Sequence, residues 1–449
     1  VNSDAEPSLV SPSGTASGLV EFTTGDALRH RGVRRFLTSQ LAIMAGVFLQ
    51  AAAIGKEVYD LTGETRDLAW IGLAEFLPAA LLVLVTGWVA DHLPRKLVAL
   101  AGVGGQALCA VALMLYSMSS PTRVWPFFVI AALFGAFKAF SSPPIRAMPP
   151  MVAPLGGVAR TVTLSSVTWV TAMIIGPAAS GFLYAAATWL PYMTAAILMV
   201  VGAAGLSLVT YEQPSLPVDA TERPSLRIAL EGLRFIRRTP ILLAAISLDL
   251  FAVLFGGAVA LLPAIATDRL GVGDVAYGWL RAAPGIGAAA MGIVLATRPL
   301  RRRVGDKLLI AVAVFGVATV VLGLTHNFTV AFVALLVLSA ADMVSVIVRS
   351  TLVPLVTPDA KRGRVLAVES VFIGASNELG AFESGQAAQL LGVPTAVVGG
   401  GVATVVVVGL WAVLFPSLRR VDRFEDLEGR QFTETSSRSR SSIGAPDSD

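Results

Sequence analysis

The chain has 449 residues, 55% of them hydrophobic and only 14% charged, with a mean hydropathy of +0.73. Such a composition excludes a soluble globular surface of this size and makes the lipid bilayer the solvent. The net charge of +4 does not point to nucleic acid, because the Arg and Lys residues are spread among loops rather than gathered on one face. Cys109 is the single cysteine and lies in an apolar run, which excludes a disulfide framework or a thiolate metal site within one chain.

Residues 1–28 are polar, without a basic start or an apolar core, so no cleaved signal peptide is expected and the first helix serves as the insertion signal. A spanning helix takes roughly 20 mainly apolar residues. Runs of that kind predict helices at 36–58, 68–90, 97–118, 124–146, 161–184 and 189–210, then at 240–266, 275–297, 306–324, 328–348, 364–390 and 394–415. The expected fold is all-α and integral to the membrane: twelve transmembrane helices in two pseudo-symmetric six-helix bundles. The expected organisation is an N-terminal tail at 1–35, bundles at 36–210 and 240–415 joined by a linker at 211–239, and a disordered tail at 416–449. Within the linker, Leu226, Leu230, Leu233 and Ile236 share one face of a predicted helix, as in an amphipathic helix lying on the membrane surface.

Positive charge marks one side. Arg34, Arg35, Arg95, Lys96, Arg146, Arg160, Arg234, Arg238, Arg301 to Arg303, Arg349, Arg362, Arg364 and Arg419 fall in loops of the same sidedness, and little but Lys56, Arg66, Arg123 and Arg269 falls opposite. Both termini are therefore expected in the cytoplasm, with the chain in the cytoplasmic membrane. Trp70, Trp125, Trp189, Trp279, Tyr59, Tyr116, Tyr192 and Tyr277 lie near outer helix ends, where an interfacial aromatic belt is expected.

The halves repeat. A shift of 204 residues matches Pro150 with Pro354, Val152 with Val356, Pro154 with Pro358, Arg160 with Arg364 and Ser166 with Ser370, and it sets Lys138 against Asp342. A shift of 206 aligns Gly72, Glu75 and Pro78 with Gly278, Arg281 and Pro284.

The loop after the second helix reads Gly87-Trp88-Val89-Ala90-Asp91-His92-Leu93-Pro94-Arg95-Lys96. It resembles the loop signature of the major facilitator superfamily, with Pro94 where that family has Gly and His92 where it has Arg or Lys. The resemblance implies a conformational latch in which Gly87 allows close helix approach, Arg95 and Lys96 anchor to headgroups, and Asp91 meets Arg146 and the start of helix 11 near Gly363. On helix 5, Gly176, Pro177 and Gly181 are similar to an element of proton-coupled antiporters in the superfamily; tight helix packing explains these small residues equally well. Segments such as Leu261-Leu262-Pro263, Arg362-Gly363-Arg364-Val365 and Ser376-Asn377-Glu378-Leu379-Gly380 look like the enterobactin-exporter branch. That likeness implies efflux of siderophores, macrolides or other amphiphiles.

Ionisable residues inside spans are a functional hypothesis by default. Lys138, Asp249 and Asp342 are expected on the charged wall of a central cavity, where Lys138 either bridges to an aspartate or acts on substrate or protons. Glu75 and Arg281, with Glu383 on helix 11, are expected near an outer gate. Glu378 and Asp249 are the carboxylates best placed to load and release protons; bonding between neighbouring helices is the alternative for Glu378. His30, His92 and His326 fall in tails or loops, and no phosphate-cradling Gly-rich motif is present. No cofactor and no enzymatic activity are expected, and energy must come from an ion or substrate gradient.

These readings converge on a secondary active transporter that exports small amphiphiles by alternating access in exchange for protons, working as a monomer. A solute importer or facilitator on the same fold, and a non-transporting membrane receptor, are the alternatives. The expected partners are a small-molecule substrate, protons and membrane lipid.

Overall fold

The computed structural model describes residues 23–210 and 226–425, apart from the side chains of 83, 84, 87, 88, 90–92, 226–229 and 360. Among these residues, twelve long helices follow one another: α1 (Arg31–Thr62), α2 (Thr65–His92), α3 (Arg95–Met118), α4 (Trp125–Ala147), α5 (Val158–Ala186), α6 (Leu190–Ser207), α7 (Pro240–Phe255), α8 (Asp274–Thr297), α9 (Val304–Leu324), α10 (Phe328–Val356), α11 (Asp359–Leu391) and α12 (Val393–Leu414). Eleven spans are long and apolar enough to cross a membrane by length and composition. The remaining helix, α2, is 28 residues long and stands second in the series. The tail beyond Glu425 and the residues before Thr23 lie outside the described residues.

The packing repeats as the sequence does. In the first half α1 packs on α5 and α6, α2 on α4, and α3 on α4 and α6. Adding six to each label gives contacts that are also present: α7 on α11 and α12, α8 on α10, α9 on α10 and α12. The halves meet through α2 on α11 and α5 on α8, and these contacts exchange under the same operation. Small residues make the second contact close: a Cβ on Gly181 would lie 2.8 Å from the Gly278 Cα.

Helix boundaries extend the predicted spans in two places that matter. α1 continues to Thr62 and is stopped by Gly63 in the left-handed region at φ 65. α10 continues to Val356, so Arg349 belongs to a spanning helix rather than to a loop. The predicted helix at 240–266 is broken. α7 ends at Phe255, a 3₁₀ segment runs Gly257–Leu261, and a short helix at Leu262–Ala264 passes into a π-type turn at Ile265–Arg269. Gly256 faces the Phe315 ring and Gly257 the Gly380 carbonyl so closely that neither position has room for a Cβ. Pro263 withholds a further backbone donor there.

One end of the bundle carries the basic loops, and the linker helix Leu226–Arg238 lies there, packed against α11 and α7. Ile236 of its apolar face is buried among Leu242, Leu352 and Val353, whereas Leu230 is exposed. The aromatic belt is only partly realised. Trp70, Trp125 and Trp279 are exposed on the helix surfaces, but Tyr59, Tyr192 and Tyr277 are buried and hydrogen-bonded inside the protein.

Candidate functional site: a charged cavity between the halves

Between the two bundles lies a cavity of about 380 Å³. Its wall is contributed by α1, α2, α8, α9, α10 and α11 and by the broken end of α7, through residues that include Gly55, Glu75, Gly257, Arg281, Asp342 and Glu378. The break in α7 matters chemically because it brings a backbone carbonyl within reach of a cavity cation. The Val259 oxygen accepts a hydrogen bond from Arg281 Nη1 at 3.2 Å. Irregular backbone at this depth is tolerated where it lines a cavity.

Three charges gather where α2, α4 and α11 meet. Gly135 brings α4 against the Glu75 backbone, with no room for a Cβ between them. Lys138, one turn later, donates from Nζ to Glu75 Oε1 at 2.6 Å. A Cβ on Gly72 would lie 3.2 Å from Glu378 Oε2, which seats the α11 carboxylate one turn from Glu75, within the field of Lys138. Lys138 thus bridges to a glutamate of its own half, not to an aspartate.

A second cluster is fully enclosed in the other half. Asp249 on α7 accepts from Arg349 at 2.9 Å and from Ser345 at 3.2 Å, and Arg349 reaches Glu369 on α11 at 3.5 Å. Asp249, Arg349, Ser345 and Glu369 are all buried, and Asp249 is not on the wall of the main cavity. A void of about 10 Å³, near the size of one water, separates this cluster from Asp342. Asp342 faces the main cavity as well.

Away from the basic end, the cavity is closed by contacts between the halves. Lys56, 5% exposed, pairs with Asp60 on its own helix and reaches Asp274 on α8 at 3.3 Å. Tyr59 donates to Asp268, and Tyr277 donates to the Ala52 carbonyl oxygen at 2.8 Å. Thr65 donates to the Gly385 carbonyl oxygen at 3.1 Å, and Trp70 meets Phe382 edge to face at 5.2 Å. The inter-half hydrogen bonds and ion pairs among the described residues all lie at this end.

The remaining expected residues fall in separate places. Arg281 lines the cavity without pairing to Glu75, and Glu383 is exposed on α11 beside Ser384. The side chains of Gly87 and Asp91 lie outside the described residues. Arg95 contacts Met151 Sδ at 3.7 Å, and Lys96 donates to the Val209 carbonyl oxygen at 2.9 Å, so both are held within their own half. Arg146 is exposed at the end of α4. Gly176 packs on the α1 backbone at Ala45, while Pro177 and Gly181 meet Gly278 of α8. The residues that sequence reasoning missed are Lys56 and Arg349, taken as loop charges, and Asp268 and Asp274, which fall between the predicted spans at 240–266 and 275–297.

A family model described as transmembrane secretion effector, of the major facilitator superfamily, matches residues 23–437. An uncharacterised MFS-type transporter of Bacillus subtilis (strain 168), YfiS, is 24% identical over 307 residues, covering 66% of this chain and 69% of that protein. Among solved structures, a POT family transporter in complex with 5-aminolevulinic acid superposes with a TM-score of 0.70 at 11% identity, covering 86% of this chain and 96% of the other. A bacterial homologue of the human lysosomal transporter Spinster, inward-facing and unoccupied, gives 0.63 at 16% identity, covering 87% and 98%. These structures share the fold at identities too low to carry more. The broken α7, the paired bundles and the match along most of the chain agree: the protein is no enzyme but a multi-pass membrane transporter, and it belongs to the transmembrane secretion effector family of the major facilitator superfamily.

Proposed function

We propose that this transporter exports small amphiphilic molecules, of siderophore, macrolide or drug-like kind, across the cytoplasmic membrane in exchange for protons. The observation that carries the reading is the cavity itself. Glu75, Asp342 and Glu378 stand on a wall that is otherwise mostly apolar, between two bundles whose hydrogen bonds and ion pairs to one another, among the described residues, lie at one end. The excess of Arg and Lys at the basic end supports reading that end, and both termini, as cytoplasmic. The state described here then admits substrate from the cytoplasm.

Glu75, Glu378 and Asp342 stand against two cations, Lys138 and Arg281, so electroneutrality calls for one proton when the cavity is dry. Entry of an amphiphile from the cytoplasm displaces that proton. Rocking of the halves then opens the other end, where substrate leaves and a proton from outside returns the carrier. Asp342 and the buried Asp249 provide a second proton-holding pair. When the basic end closes, Asp91 meets Arg146 near Gly363 as a latch, with Gly87 allowing the approach and Arg95 and Lys96 fixing the loop. Arg281, Glu75 and Glu383 take part in opening the far end. The protein works as a monomer.

The test is expression of the chain in a host lacking its own efflux pumps, challenged with a panel of amphiphiles. Lowered cellular accumulation of at least one compound, lost in Glu378→Gln, supports export; raised accumulation favours an importer on the same fold.

A further inference from the structure

The linker helix crosses the first turns of α11 at Gly232, where a Cβ would lie 2.8 Å from the Arg364 carbonyl oxygen. Beside this crossing is a second cavity of about 260 Å³, lined by Glu231, Arg234, Phe235, Arg238, Lys361 and Arg364. Residues 231, 234, 235 and 238 share one face of the linker helix, and 361 and 364 share one face of α11. Among the described residues of its lining, four cations therefore surround one carboxylate, and that carboxylate is engaged: Glu231 Oε2 lies 2.5 Å from Arg364 Nη1. Lys361 Nζ stands 5.0 Å over the Phe235 ring.

Among the described residues, no carboxylate pairs with Arg234, Arg238 or Lys361. Like charges four residues apart on a helix repel one another. Here they line a concave space while remaining exposed to solvent, an arrangement that an anion stabilises. Guanidinium groups match phosphate oxygens with paired N–H donors, and an ammonium adds a compact charge. The pocket sits at the basic end, on an amphipathic helix whose Ile236 is anchored in the protein core. Leu230, one turn before Arg234, is 57% exposed and offers an apolar neighbour to an acyl chain.

We propose that this pocket binds a phosphate group, held by Arg234, Arg238 and Lys361, and that the bound phosphate pins the linker helix to α11. The phosphate of an anionic lipid headgroup and a free phosphate share this chemistry. The position at headgroup level and the exposed Leu230 favour the lipid. Because α11 also carries Glu369 and Glu378, an occupied pocket ties the membrane surface to the helix that lines the transport cavity.

The experiment is native mass spectrometry of the full chain in detergent, titrated with phosphatidylglycerol, phosphatidylcholine or inorganic phosphate. Each basic residue near an anionic surface contributes about 1 kcal/mol. Arg234→Gln/Arg238→Gln is therefore expected to weaken phosphatidylglycerol binding by at least about tenfold, while Arg301→Gln, at the same end but outside the pocket, leaves it unchanged. Lys361→Gln gives a severalfold loss and serves if the double variant fails to fold. Competition by millimolar inorganic phosphate supports the phosphate as the recognised group, and phosphate binding without any preference for phosphatidylglycerol assigns the free ion as its source. Phosphatidylglycerol and inorganic phosphate binding that are both unchanged in folded Arg234→Gln/Arg238→Gln and in Lys361→Gln would overturn the proposal.

Discussion

Lys138 Nζ lies 2.6 Å from Glu75 Oε1, tying α4 to α2, whereas Asp342, its counterpart in the repeat, faces the cavity and makes no ion pair among the described residues. The repeat thus places an ammonium ion in one half and a carboxylate in the other at matching positions. The charge in the first half is matched locally, and that in the second is left to the cavity. Lys138→Met should destabilise the protein by about 2 kcal/mol, since it strands Glu75 without its donor. Glu75→Gln/Lys138→Met should recover part of that loss. Thermal unfolding in detergent, read as a double-mutant cycle, measures it; additive losses would mean that the pair contributes nothing as a pair.

The far end is held shut by Lys56 on Asp274, by Tyr59 on Asp268 and by the close approach of Gly181 to Gly278. Lys56→Gln should shift the population toward opening at this end, because it removes a charge that reaches both its own helix and α8. Gly181→Leu should act in the same direction by forcing α5 from α8. Spin labels on Ser119→Cys and Leu390→Cys report the separation, and the native Cys109 is buried. Distance distributions identical to those of the parent protein would show that these contacts do not control closure.

Much of the fold was legible because hydropathy averages over some 20 residues, a window that matches one span. Twelve helices follow from that signal, and the likeness of the halves from residue matches such as Pro150 with Pro354 and Gly72 with Gly278. The same averaging hides what a single residue does. Lys56 sits near the end of an apolar run and looks like a loop charge; only the continuation of α1 to Gly63 buries it. Arg349 was hidden similarly by the extra turns of α10. The break in α7 escaped because Gly256, Gly257 and Pro263 are compatible with a packed spanning helix as well as with an interrupted one. Glu75 and Lys138 were visible as intramembrane charges, but which charge met which depended on Gly135, whose role is set by an approach between helices far apart in sequence.

The Asp249–Arg349–Glu369 cluster is enclosed on all sides. Removing the guanidinium leaves two carboxylates in an apolar interior, so Arg349→Met should cost about 3–5 kcal/mol. Asp249→Asn, which keeps an acceptor for Ser345, should cost less. Denaturation midpoints in detergent compare the two; an Arg349→Met protein as stable as the parent would show that the cluster is not a buried ion pair in solution.

Asp422 accepts the Arg303 backbone N–H at 2.9 Å and lies beside Arg302, which together hold its carboxyl below the usual carboxylate range. A group depressed in the folded state contributes stability above its ordinary pKa and loses it as pH falls through the depressed value. Docking of residues 416–425 on the start of α9 should therefore weaken on acidification below the ordinary carboxylate range. Hydrogen exchange at the amides of Val304 and Gly305, which donate to Asp422 and Val421, reads this directly. Asp422→Asn should show reduced protection even at neutral pH, and protection equal to the parent's would refute the anchoring role.

The most direct test of the central claim is proton movement coupled to substrate in inverted membrane vesicles loaded with a pH-sensitive dye. With a compound identified from the efflux panel, the parent protein should dissipate an imposed proton gradient on substrate addition. Glu378→Gln should abolish that response, and Asp249→Asn should reduce it, while both proteins remain folded in the membrane. Full substrate-driven proton flux in both variants, or transport with no proton movement in the parent, would contradict proton-coupled export.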